Sequence, residues 1–279
     1  LLAAIPLPEV DPDWVAAADV DTAAGDGADL DVSETVNGES RKMKIEGSVA
    51  LVTGANRGVG EAFIQALKDR GAAKIYAAVR DPALLEDKSG VEVVTLDITK
   101  PDQVAAAAAQ CTDVTLLVNN AGMNYNRPLL GDDALSNARD EMEVNYLGTL
   151  STCNAFAPVL GANGGGTILN MLSIISNVNL PALGTYSASK AAELSLTQGV
   201  RAQLAAQGTL VVGVMPGTID TRMTPGGDEK PGPVAAAALD AVEAGEEDVY
   251  PGAMAQGVSQ GLAADRKAVE KEFANYLPQ

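Results

Sequence analysis

From Gly47 onward, short apolar runs alternate with longer stretches whose apolar residues recur at helical spacing. The first run, Ser48-Val49-Ala50-Leu51-Val52-Thr53, ends in glycines. Residues 74–79, 92–96, 115–119, 166–170 and 210–214 follow. Each is short, apolar and bounded by turn residues, the signature of a buried strand. Residues 61–70 place Ala62, Phe63, Ala66 and Leu67 on one face of a helix. Residues 102–110, a region from 141 to 156, and residues 185–206 read as further helices. Continuously apolar strands separated by helices predict a parallel sheet covered on both faces. Right-handed crossovers then make a doubly wound α/β fold, with ligands outside the carboxyl ends of the strands.

Residues 1–46 break the pattern. They hold 11 acids and 3 bases, a net of −8, and are rich in Asp, Ala and Gly. Such a composition buries little core. The segment is therefore read as an acidic N-terminal extension, with Ile5, Leu7, Val10, Trp14 and Val15 as its anchors if it is ordered. Residues 47–279 are then a single domain. The whole chain carries −18, from 37 acids and 19 bases. That charge argues against nucleic acid or an anionic membrane as a partner. No run of 18 uncharged apolar residues predicts a membrane span. The opening residues meet Pro6 without a basic region, unlike a secretory leader. Two cysteines, Cys111 and Cys153, fit free thiols in a reducing, cytoplasmic setting. The chain has no histidine, which removes Ser-His-Asp hydrolases, Cys-His proteases and His-ligated zinc enzymes. No metal site is expected.

Chemistry begins in the first loop. Thr53-Gly54-Ala55-Asn56-Arg57-Gly58-Val59-Gly60 joins the first strand to its helix. Glycines there allow a tight turn and close approach of the backbone to a phosphate, and the helix N-terminus offers N–H groups and a positive dipole end. Gly54, Asn56, Arg57, Gly58, Val59 and Gly60 are accordingly candidate nucleotide contacts. The spacing is Gly-x-x-x-Gly-x-Gly, and here the chain resembles the short-chain dehydrogenase/reductase family, whose loop reads Thr-Gly-x-x-x-Gly-x-Gly. Four more stations extend the resemblance over residues 47–279. Asn119-Asn120-Ala121-Gly122 resembles the motif after strand four. Asn145 resembles the family's active-site Asn. Ser173 followed by Tyr186-Ser187-Ala188-Ser189-Lys190 resembles its Ser and Tyr-x-x-x-Lys. Pro216-Gly217-Thr218-Ile219-Asp220-Thr221 resembles the segment holding the nicotinamide amide. The resemblance implies a Rossmann fold, a nicotinamide cofactor and contacts to it from Asn119, Ala121, Gly122, Pro216, Gly217, Ile219 and Thr221.

The residues carry a chemistry of their own. Tyr186 and Lys190, four apart, share one helical face. A phenol is a poor acid or base at neutral pH, and an adjacent ammonium lowers its pKa. Tyr186 can then give a proton to a carbonyl oxygen or take one from an alcohol. Ser173 can donate a hydrogen bond to the same oxygen; Ser176 is a rival with a shorter spacing to Tyr186. Lys190 would also hold the nicotinamide ribose. Asn145, as the resemblance implies, would hold a water linking Lys190 to solvent.

Cofactor choice falls at the end of strand two. Val79 stands where an acid would bind the adenosine ribose, and Arg80 follows it. With Arg57 in the glycine loop, two guanidiniums can fork a 2′-phosphate, which favours NADP(H). The alternative is NAD(H), with Asp81 taking the ribose. Asp97 and Ile98 are expected at the adenine. Residues 222–233 make a short lid over an open pocket, lined by Met123, Tyr125, Leu180, Leu183 and Met223. Three functions compete: an NADP(H)-dependent carbonyl reductase or secondary-alcohol dehydrogenase, a 3-oxoacyl-carrier-protein reductase, and a non-catalytic nucleotide-binding scaffold or redox sensor. Small residues on the helix 185–206 (Ala191, Ala192, Ser195, Gly199) and on its neighbour (Gly148, Thr149, Ser151, Thr152) predict close helix approach across a two-fold axis, in a homodimer or homotetramer.

Overall fold

The computed structural model describes residues 42–277. The anchors named in the acidic extension lie outside the described residues. Seven strands form one sheet: β1 (Val49–Thr53), β2 (Lys74–Val79), β3 (Glu92–Thr95), β4 (Leu116–Asn119), β5 (Gly166–Met171), β6 (Thr209–Val214) and β7 (Asp248–Val249). Their order is β3-β2-β1-β4-β5-β6-β7, and every pairing is parallel. The helices are α1 (Gly58–Asp69), α2 (Pro101–Gln110), α3 (Ala134–Glu141), α4 (Thr149–Ala162), α5 (Gly184–Leu204), α6 (Pro231–Ala244) and α7 (Ala253–Phe273). A π-helical stretch, Met142–Gly148, joins α3 to α4.

Period-two alternation sorts each central strand between two cores. Ala50, Val52, Leu116, Val118, Leu169 and Val212 pack with Phe63 and Leu67 of α1 and Leu239 of α6. Leu51, Leu117, Ile168 and Val211 face the other way, onto Val104 of α2, Phe156 of α4 and Leu196 of α5. Burying each large side chain contributes about 1.5–3 kcal/mol. Apolar residues on both faces are what made the strands readable without a period.

The six expected strands are present, shifted at their ends by a residue at most. The seventh was not expected. β7 has two residues, too few for any pattern, and pairs with Gly213 and Val214. α3 also escaped notice: its one buried residue is a glutamate, Glu141. α7 bends at Asp265, whose backbone is extended (φ −152°). The Asp265 carboxylate accepts from Lys267 N and Ala268 N, both at 3.0 Å, and so caps the second half of the helix. α7 packs on residues 174–183 through Ala255, Val269 and Phe273, forming a third, smaller core.

The order of the strands places a topological switch between β1 and β4. The strand order reverses direction there, which is where a parallel α/β sheet offers a crevice outside the carboxyl ends of its strands.

Candidate active site

The glycine loop lies at the end of β1, on one side of this crevice. Gly54 and Gly58 have φ of 65° and 57°. At Gly60 a Cβ would collide with the Gly54 carbonyl oxygen and lie 2.7 Å from Asn120 Nδ2. No side chain larger than hydrogen fits. Arg57 is the residue before α1, in extended conformation, and no side chain caps the helix start. The N–H groups of its first turn are thus left to a ligand. Asn56 and Val59 are half-buried in the loop, and Arg57 is exposed.

The end of β4 is clamped to the end of β1. Asn120 Nδ2 donates to Thr53 O at 2.9 Å, and Asn120 N and Ala121 N both donate to Thr53 Oγ1 at 3.0 Å. Thr53 and Asn120 shape the loop, yet were not among the expected site residues. Asn119 turns inward instead. Its Nδ2 donates to Asn170 Oδ1 at 2.9 Å, and Thr152 Oγ1 donates to its Oδ1 at 2.7 Å. Only its backbone is left to face the crevice.

Asn145 sits in the π-helical stretch and is fully buried. Its Oδ1 accepts from Met123 N at 2.9 Å, and its Nδ2 donates to Met123 O and to Ser189 Oγ, both at 2.9 Å. The amide therefore ties the strand-four loop to α5. Gly122 is next to it: a Cβ there would lie 3.3 Å from Asn145 Oδ1 and 3.8 Å from Lys190 Nζ.

Ser173 follows β5 by two residues, with extended backbone. Its hydroxyl accepts a long bond, 3.5 Å, from Ile175 N, so its proton is uncommitted. Ser176 Oγ accepts from Ser173 N at 3.2 Å. Ser176 thus steadies the Ser173 backbone and does not compete for substrate.

α5 carries Tyr186 and Lys190 to the same place. Tyr186 packs on the small core that contains Ile174 and Ile175, which flank Ser173. Its hydroxyl bonds to no described residue. Lys190 Nζ is buried, donates to Met171 O at 2.7 Å and lies 5.8 Å from the Tyr186 ring centre. It also donates to Glu193 Oε2 at 2.6 Å. Burial raises the Tyr186 phenol above its ordinary pKa, while the Lys190 charge pulls the other way. Burial works against the Lys190 charge too, yet the Glu193 carboxylate, by charge and hydrogen bond, and Tyr186 together more than offset it and the ammonium's pKa rises. Glu193 itself is pushed above the usual carboxylate range by burial, against the pull of Lys190.

Arg80 is exposed at the end of β2. Asp81 accepts from Ala83 N at 2.9 Å and caps the turn that follows. Asp97 Oδ1 accepts from Thr99 N at 3.0 Å and Thr99 Oγ1 at 2.8 Å. Burial opposes the Asp97 charge, but the Thr99 bonds and the Arg80 charge hold its pKa low. Ile98 is buried beneath. Pro216 O accepts from Ile174 N at 2.8 Å, bringing the 216–221 segment to the Ser173 turn. Gly217 is half-buried, Ile219 bridges to Glu229, and Thr221 reaches the glycine loop, 3.3 Å from where a Gly58 Cβ would stand.

The lid expected over 222–233 is shorter still, because α6 begins at Pro231. Leu180 and Leu183 rest on the α7 core. Met223 and Tyr125 are exposed. Gly148, Thr149 and Thr152 do not reach the surface; they are buried against the sheet side of their helix. That corrects their expected place on a helix interface. Ala191, Ser195 and Gly199 of α5 are exposed, and Ala192 is half-buried. Cys111 and Cys153 are free and buried, and burial pushes both thiols up to about 12. Among the described residues, no helix is long and apolar enough to cross a membrane.

The family model for short chain dehydrogenases matches residues 48–231. A short-chain dehydrogenase of Penicillium ochrochloron is 36% identical over 186 residues, covering 63% of this chain and 68% of that one. The 3-oxoacyl-[acyl-carrier-protein] reductase of Vibrio cholerae is 31% identical over 198 residues, 65% of this chain and 78% of that one. A short chain dehydrogenase of Burkholderia cenocepacia, solved in complex with NADP, superposes with a TM-score of 0.80 at 48% identity. That likeness covers 83% of this chain and 99% of the other.

Proposed function

The chain belongs to the short-chain dehydrogenase family, and on that premise we propose that it is an NADP(H)-dependent reductase of carbonyls, or dehydrogenase of the matching secondary alcohols. One observation carries this reading above the others. The Tyr186 hydroxyl bonds to no described residue, while its ring packs on Ile174 and Ile175, which flank Ser173, and its centre lies 5.8 Å from Lys190 Nζ. The bare cradle at Gly60 and the uncapped start of α1 fit a dinucleotide. Gly54, Asn56, Arg57, Gly58, Val59 and Gly60 would hold its pyrophosphate. Arg57 and Arg80 would meet a 2′-phosphate, Asp97 and Ile98 the adenine, and Asn119, Ala121 and Gly122 the crevice wall. Pro216, Gly217, Ile219 and Thr221 would hold the nicotinamide end, and Lys190 the ribose.

When bound, this cofactor supplies or accepts the hydride. The protein manages the oxygen and its proton. Ser173 donates a hydrogen bond to the carbonyl oxygen, and Tyr186 gives it a proton; in the reverse direction Tyr186 takes the proton from the alcohol. Lys190 stabilises the phenolate so formed. Asn145 locks Met123 and Ser189 around the pair and would hold a water linking Lys190 to solvent.

Support for NADP(H) over NAD(H) comes from the two exposed guanidiniums, from Asp81 being turned to Ala83, and from the NADP-bound relative. The decisive experiment is NADPH consumption across a panel of aliphatic and aromatic ketones. Consumption with none of them would refute the proposal. The Vibrio cholerae relative favours a narrower reading, reduction of 3-oxoacyl groups on a carrier protein. The net charge of −18 makes a poor dock for an acidic carrier. A thioester substrate reduced far faster on its carrier than free would decide for that reading. High thiol pKa values weigh against a cysteine-based redox sensor. Exposed Leu147 and Leu150, with the small exposed residues of α5, support self-association in the proposed dimer or tetramer, which light scattering would detect as a multiple of 28.5 kDa.

A further inference from the structure

The reaction proposed above leaves two buried carboxylates beside the site unused, Glu141 and Glu193, and Glu193 is the one that touches Lys190. Glu193 stands one helical turn past Lys190 on α5, and its side chain is 1% exposed. Besides the 2.6 Å contact to Lys190 Nζ, its Oε1 accepts from Thr149 Oγ1 of α4 at 3.3 Å. Burying a carboxylate costs several kcal/mol unless it is paired, so its place against a buried ammonium has a consequence for that ammonium. Lys190 has three donors. Met171 O takes one and Glu193 a second. A single donor remains for the crevice.

Three charged groups face the Tyr186 phenol. Lys190 and Glu193 come from its own helix, and Glu141 comes from the end of α3, where its Oε1 accepts from Tyr125 N at 2.8 Å. Resting on the oxidoreductase reading, we propose that Glu193 is a positioning residue: it fixes Lys190 with one donor left to the site, and it opposes the positive field that would strip the proton from Tyr186, so that the site is set for proton donation and hence for carbonyl reduction. Lys190 alone would favour the phenolate and set Tyr186 to accept a proton. With Glu193 beside it, the phenol keeps its proton through the neutral range, ready to pass it to the carbonyl oxygen as the carbon receives the hydride. The phenolate left behind recovers its proton from solvent.

The test reads Tyr186 directly. Phenolate absorbance is followed against pH, and the same titration of Tyr186→Phe is subtracted to remove the other five tyrosines. Glu193→Gln, which keeps the shape and removes the charge, should lower the Tyr186 midpoint by about one pH unit. Glu193→Asp, which keeps the charge, should bring it back toward the parent. If the Gln variant does not fold, Glu193→Leu carries the same expectation. Where a carbonyl substrate has been found, the alkaline fall of reduction should move with the midpoint. A folded Gln or Leu variant with an unmoved midpoint overturns the proposal, whatever its melting temperature, because a merely structural role changes only stability. Should the midpoint move while the parent consumes no NADPH with any carbonyl, the oxidoreductase reading fails and the charge effect stands.

Discussion

The described residues hold two clusters of tyrosine, lysine and carboxylate, at opposite ends of the sheet. At the amino end of β2, Lys74 Nζ donates to Tyr76 Oη at 2.8 Å and lies 4.7 Å from the ring centre. Asp113 closes that cluster: Tyr76 Oη donates to Asp113 Oδ1 at 2.8 Å, and Lys74 reaches Oδ2 at 3.1 Å. At the carboxyl end, Glu193 touches Lys190 and never reaches the Tyr186 hydroxyl. The difference lies in where the acid is spent. Tyr76 commits its proton to a neighbour inside the fold and becomes a brace. Tyr186 keeps its proton unassigned, facing the crevice. Proximity of a lysine to a tyrosine is therefore not enough for chemistry; the hydroxyl must be left without a partner, and at the edge where ligands enter.

Four substitutions press on that contrast. Tyr186→Phe should cost the largest effect, about 10²–10⁴-fold in turnover, with NADPH affinity by fluorescence nearly unchanged; a variant that keeps most of its rate would place the proton elsewhere. The buried cluster also depends on the polar network behind it. Thr197 Oγ1 accepts from Asn170 Nδ2 at 3.0 Å and donates to Glu193 O at 2.8 Å. Thr197→Val leaves Asn170 Nδ2 without its acceptor in the core and should cost about 1–3 kcal/mol in denaturant unfolding. Arg80→Ala should weaken NADPH about tenfold through one lost charge-assisted contact and leave NADH unmoved; equal weakening of both would show that Arg80 only supports Asp97. Tyr76→Phe should be the mildest, about 1 kcal/mol in stability with turnover intact. Any large loss of turnover there would erase the distinction between the two clusters.

The contrast also marks what the sequence could disclose. A glycine loop announces itself because recognition is by backbone, and only glycine tolerates the Gly54–Gly60 approach. Tyr186 and Lys190 announce themselves because helix spacing places them together. Glu193 and Glu141 carry no such signature: an acid in a helix is ordinarily a solvated one, and only burial gives these two their weight. Thr53 and Asn120 act through hydrogen bonds between two strands, which no local spacing encodes. β7 and the bend of α7 at Asp265 escaped for a similar reason, since each is defined by its neighbours more than by its own residues. Asn119 was read as facing the cofactor on the strength of its motif, and its side chain turns into the core because Asn170 and Thr152 are waiting there.

The π-helical stretch between α3 and α4 has a consequence for how this site tolerates change in length. A widened turn amounts to one extra residue threaded into an otherwise regular helix. Losing a single residue from 142–148 would let α3 and α4 merge into one α-helix, and everything before the excision would rotate by about 100°. Glu141 would swing away from Tyr125 N, and the cradle that Asn145 makes for Met123 would be lost, although no residue named in the chemistry had been replaced. A one-residue deletion there, outside the glycine loop and the Tyr186–Lys190 pair, is thus expected to be more disruptive than most substitutions, and a compensating insertion one turn earlier should restore the phase.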